Sequence, residues 1–122
     1  MQRTSTPQIH PELPYGALIG QVVLQHRKAA KLDQATLAQA LGISQSAYSR
    51  LEKGESAMTL PQLRALAMRL GTSPGQLTLE ADQLEARLRL SGVTISEEKG
   101  NQPGAILLAL GILAAILAAG GK

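Results

Sequence analysis

Six residues in the stretch SQSAYSRLEK have side chains suited to directional hydrogen bonding: Ser44, Gln45, Ser46, Ser49, Arg50 and Lys53. They remain outward on the predicted helix and its cap, while Ala47, Tyr48 and Leu51 turn inward. Gln offers a donor and an acceptor side by side, which matches the edge of adenine. Arg matches guanine, and Ser suits several edges. A helix of this width fits the major groove of DNA. The chemistry is recognition rather than bond-making, because no catalytic inventory accompanies it. There is no cysteine, hence no thiolate nucleophile, thiolate metal site or disulfide. His10 and His26 are far apart and do not make a metal site, and no cofactor is expected. Glu97 and Glu98 are neighbours in a polar stretch and cannot form a facing acid/base pair. No phosphate loop is present, so an enzyme is not expected.

Five helices must position that face. Tyr15 to Ala30 carries Ile19, Val22, Val23, His26 and Ala30 along one side, with His26 expected as a packed histidine. Asp33 can cap a helix from Gln34 to Leu41, with Leu37, Ala38 and Leu41 inward, and Gly42 ends it. Ser44 can cap a third helix, Gln45 to Lys53, ended by Gly54. Thr59 can cap a fourth with Pro61 in its first turn, an apolar stripe of Leu60, Leu63, Leu66, Ala67 and Leu70, and Gly71 as its stop. Ser73 and Pro74 start a fifth that runs to about Leu90. Its stripe of Leu77, Ala81, Leu84 and Leu88 either covers its own domain or packs on a second copy.

The charge is uneven. Residues 15–76 hold seven Lys/Arg against three acids, a local +4, whereas residues 77–122 hold four against five. The polar face of the third helix would, taken alone, be an ordinary solvated surface. The glycine turn, the small Ala38 at a close crossing and the local positive charge turn the reading toward DNA.

At that point the chain resembles a known family. Residues 16 to about 80, and above all LDQATLAQALGISQSAYSRLEKGESAMTLPQLRALAMRLGTSPGQL, are similar to the lambda-repressor-like, Cro-type helix-turn-helix regulators, also called the xenobiotic-response-element family. The resemblance implies that Gln45, Ser46, Ser49 and Arg50 read bases. It implies that Gln34, which opens the second helix, contacts a phosphate, and that Ser44 and Lys53 touch backbone or flanking bases. It further implies a structural ion pair between Arg27 and Glu52. Tyr48 departs from the family, which more often has Val or Ile there; it reads as a core residue ahead of a phosphate contact.

The expected organisation is a disordered arm over residues 1–14, a helix-turn-helix domain over 15–80, an amphipathic extension over 81–92, a polar linker over 93–104 and an apolar helix over 105–121. VTIS (93–96) reads only as an extended stretch. The fold class is all-α: five helices of lambda-repressor-like type with an extended fifth helix and a separate C-terminal apolar helix. That last helix has no polar face, so it is either a membrane anchor or an assembly helix packed on protein. The expected function is a sequence-specific regulator, a repressor binding double-stranded DNA as a homodimer on a palindromic operator. Its place is the cytoplasm, with a tether to the inner membrane if the tail is an anchor. Two rival readings stand beside it: an antitoxin-like autorepressor whose tail binds a protein partner, and a membrane-anchored interaction module that no longer reads DNA.

Overall fold

The computed structural model describes residues 10–97 and 103–120. The chain runs β1 (Glu12–Pro14), α1 (Tyr15–Ala29), α2 (Gln34–Leu41), α3 (Gln45–Lys53), α4 (Leu60–Arg69), α5 (Pro74–Leu90), β2 (Thr94–Ser96) and α6 (Pro103–Gly120). The starts of α2 to α5 are set by short polar side chains that accept from backbone N–H groups otherwise left orphaned. Asp33 accepts from Thr36 N, Ser44 from Ala47 N and Ser73 from Gln76 N. Thr59 and Gln62 satisfy each other's backbone in a capping box.

Leu13, Leu18, Val23, Leu37, Tyr48, Leu66, Leu77 and Leu88 are fully buried and form the centre of one core. α1 is its axis, packed against α3 and α5. The stripe of α5 lies within this core, so it covers its own domain and is not left for a second copy. Leu60, expected in the stripe of α4, is instead 78% exposed, because as the first residue of that helix it lies outside the layer built by Leu63, Leu66 and Ala67. Ala30 likewise is exposed, at the C-cap of α1.

α1 and α3 approach so closely that side chains are excluded between them. A Cβ on Gly20 would lie 2.0 Å from the Glu52 carbonyl oxygen. One on Gly54 would lie 2.3 Å from Ala17 N, and Gly54 also has φ +78°, so it is constrained twice over. Gly42, between α2 and α3, has φ +70° with open space around it. There only the left-handed turn requires glycine.

Two expectations change. Part of the arm assigned to residues 1–14 is ordered: Glu12–Pro14 pairs in parallel with Thr94–Ser96, with Leu13 opposite Ile95. Leu13 drives this, since it is wholly buried in the core. Residues 1–9 lie outside the described part. The C-terminal apolar helix is present as expected, but it is docked on the domain rather than held apart from it. Among the described residues, no helix is long and apolar enough to cross a membrane. An 18-residue helix is about 27 Å long, and it ends in small residues. It docks on β1 and α5, burying Ala105, Ala109 and Leu113, and Arg87 Nη2 donates to the Ile116 carbonyl at 2.9 Å.

Gly20→Ala forces backbone to move at the α1–α3 crossing and is expected to cost about 1–3 kcal/mol, the range of overpacked cores. Gly75→Ala, with only Ser73 Oγ at 4.0 Å, should be neutral or slightly stabilising. Thermal unfolding of the two variants beside wild type checks the contrast; equal melting temperatures would mean that the crossing is looser than described.

Candidate nucleic-acid interface

α3 has two unlike sides. Its inward side holds Tyr48 and Leu51, and Glu52, the one buried charged residue among those described. Its outward side holds Gln45, Ser46, Arg50 and Lys53, all exposed, with Ser49 partly so. Among the described residues, none pairs with the side chains of Gln45, Arg50 or Lys53. Their donors are free for a ligand. Ser44 is half-committed: its Oγ accepts from Ala47 N and lies 3.2 Å from Ser46 Oγ. The structure thus brings five of the expected recognition residues onto one open face of α3, with Ser44 at its leading edge. Gln34 stands apart at the start of α2.

The inward side is anchored by a polar cluster. Arg27 of α1 donates from Nε to Glu52 Oε2 at 2.7 Å and from Nη2 to Glu52 Oε1 at 3.1 Å. Arg27 Nη1 also reaches the Leu32 carbonyl at 3.0 Å, which ties down the turn into α2. Tyr48 O–H donates to Glu52 Oε2 at 2.7 Å, and Gln34 Nε2 donates to Glu52 Oε1 at 3.0 Å. One carboxylate therefore accepts from side chains on α1, α2 and α3. Burial pushes the Glu52 carboxyl up, but the hydrogen bonds from Arg27, Gln34 and Tyr48 outweigh it and hold the group below its ordinary value. Burial, and then the bond to Glu52, push the Tyr48 hydroxyl far up, so it stays a donor.

Two of these roles were not read from the sequence. Tyr48 is fully buried, as expected of a core residue, yet its hydroxyl completes the Glu52 cluster. The spacing of Tyr48 and Glu52, one helical turn, was the available signal. Gln34, expected at a phosphate, already spends one N–H on Glu52. His26 is not simply packed: its Nε2 lies 2.8 Å from Glu80 Oε1, and Gln76 holds the other oxygen of Glu80. That arrangement joins α1 to α5. Among the described residues, no group of three or more His, Asp or Glu is placed to hold a metal ion.

Comparison with known proteins agrees with this geometry. Residues 23–77 match the helix-turn-helix family. That stretch runs from α1 through α4 into α5, so α1–α5 is similar to the family over most of its length. Two solved structures of the clp gene regulator ClgR from Corynebacterium glutamicum are similar to the chain. One is 20% identical, with TM-score 0.58, over 84% of this chain and 89% of that one. The other is 23% identical, with TM-score 0.54, over 57% and 90%. At that identity the likeness concerns the fold. The hydroxypropylphosphonic acid epoxidase of S. wedmorenis is 35% identical over 51% of this chain but only 33% of its own, with TM-score 0.47, too partial an overlap to speak to activity. No curated protein matches the chain.

The cluster makes stability sensitive to acid. The folded carboxyl of Glu52 lies below its ordinary value of 4.5, so as pH falls the unfolded chain binds the proton first. The stability that Glu52 contributes is complete above the ordinary value and is lost as pH falls through the folded one. Denaturant unfolding between about pH 7 and about pH 3 should show this fall, and a shallower one in Glu52→Gln. Asp33 and Glu80 also lie low and will leave a residual slope in both proteins. Glu52→Ala, which strands Arg27, is expected to cost about 3–5 kcal/mol at neutral pH. An unchanged slope in Glu52→Gln would assign the acid sensitivity to the other carboxylates.

Proposed function

We propose that the chain is a sequence-specific DNA-binding transcriptional regulator, with α3 as the reading helix. The observation that carries this is the division of α3: the inward side is fixed to α1 and α2 through Glu52, and the outward side presents unpaired Gln45, Arg50 and Lys53. The match of residues 23–77 to the helix-turn-helix family supports it. Gln45, Ser46, Ser49 and Arg50 read base edges, while Gln34, Ser44 and Lys53 meet the backbone. A single reading helix covers only a few base pairs, so specific binding uses two copies on a palindromic site, and occupancy of that operator represses transcription.

The tail supplies a surface for pairing. α6 turns Leu107, Leu108 and Leu110 outward, 70%, 46% and 40% exposed, and neither these nor any neighbour along the helix is charged. The favoured use is assembly of two copies. Capture of another protein, as in an antitoxin-like autorepressor, is the second reading that the same exposed leucines support.

Duplexes selected from a random pool by the full-length protein provide the test. Arg50→Ala and Gln45→Ala should each lose about 1–3 kcal/mol of discrimination between selected and random duplexes. Lys53→Ala should weaken both equally and lower the slope of log K against log salt by about 0.9. Full discrimination in Arg50→Ala would move the reading face elsewhere on α3.

Removal of residues after Gly100 should convert a dimer to a monomer in sedimentation, with the α1–α5 domain still folded. A truncated chain that remains dimeric would place the pairing surface outside α6.

A further inference from the structure

Gln34 is an amide, with a donor end and an acceptor end, whereas the partner assigned to it above is a phosphate, which only accepts. Which end faces outward decides whether Gln34 attracts a phosphate or repels it. Glu52 also only accepts while ionised, and the hydrogen bonds on it keep it ionised at neutral pH. Gln34 must therefore turn its Nε2 toward Glu52 Oε1, 3.0 Å away. Nε2 carries two N–H groups, of which this bond uses one. The side chain is partly exposed at the start of α2, so the second N–H is available at the surface.

We infer that Glu52 is a positioning residue for DNA binding: it fixes the sense of the Gln34 amide so that a donor, not the carbonyl, meets the phosphate. This rests on the DNA-reading function above and adds the device that orients one of its contacts. The groups around Glu52 show what happens without it. Arg27 and Tyr48 are donors, and both reach the same carboxylate as Gln34. When that carboxylate becomes an amide, its one acceptor oxygen stays with Arg27 Nε and Tyr48 O–H, and its NH2 faces Gln34, which must then present its carbonyl. The amide then turns over. Its donor end swings away from the phosphate position, although no DNA-contacting residue has been altered. Tyr48, through its bond to Oε2, helps hold the carboxylate in the orientation that leaves Oε1 to Gln34.

The effect has a signature that separates it from loss of structure and from loss of charge. Gln34 is neutral and releases no counterion, so weakening its contact lowers affinity for every duplex while the salt slope stays that of wild type. The test measures the affinity of the full-length chain for a random-sequence 20-bp duplex (about two helical turns) across a salt series. Wild type, Gln34→Ala, Glu52→Gln and the double variant are compared, with circular dichroism to confirm folding. The expected results are a loss of about tenfold in Gln34→Ala, at least the same in Glu52→Gln, no further loss in the double variant, and one common salt slope. Losses that multiply in the double variant, or a folded Glu52→Gln with wild-type affinity, overturn the proposal and leave the DNA reading intact. Wild type that binds no duplex overturns both.

Where Glu52→Gln does not fold, the side-chain NH2 resonances of Gln34 in wild type decide. One proton should be hydrogen-bonded before duplex is added, and the second should shift on titration. A second proton that stays unmoved at saturation overturns the proposal.

Discussion

The carboxylate of Glu52 is the point at which three helices meet. It accepts from Arg27, Gln34 and Tyr48, so α1, α2 and α3 share one set of hydrogen bonds inside a region with little water. A buried charge costs several kcal/mol to desolvate unless its lone pairs are filled, and here four donors fill them. An apolar cluster of similar volume would stabilise the domain at least as well. What the ionic cluster adds is direction. Each donor fixes an angle, and the outward side of α3 inherits its orientation from those angles.

Close backbone approach works to the same end. Gly20 and Gly54 let α1 and α3 touch without intervening side chains, so the crossing cannot slide without a clash. Hydrogen bonds set the rotation of α3, and the glycine contact sets its distance. The proposed reading role needs α3 held in both senses, because base edges are matched by directional hydrogen bonds. The free side chains of Gln45, Arg50 and Lys53 can then be flexible at their tips while their roots stay fixed.

Much of this was legible in the residues. The caps Asp33, Ser44, Thr59 and Ser73 and the glycines after α2 and α3 are local signals, and the helix boundaries followed them closely. The outward run of α3 was legible because helical periodicity separates it from Tyr48 and Leu51. What stayed hidden depended on distant partners. Gly20 sits in mid-helix with no local mark of its purpose, which lies in Glu52, 32 positions later. Leu13 lay in a Pro-rich stretch that reads as an arm, and its order comes from core and strand partners far along the chain. The bond from Gln34 to Glu52 spans two elements and follows no helical spacing. The tail stayed open between two readings for another reason: hydrophobicity along a helix does not say whether the apolar neighbour is lipid or protein.

The parallel pairing of β1 with β2 has a consequence for the order of assembly. Glu12 and Thr94 are its first partners, so nearly the whole α1–α5 domain lies between the two strands. Closing a loop of that length is entropically costly until the intervening helices have shortened it. The ladder is therefore a late event in folding. α6 packs chiefly on β1, the strand that the ladder holds in place. By the same argument assembly is sequential: α3 and its outward face form from contacts within α1–α5, and the ladder that ties the two ends of the domain together follows.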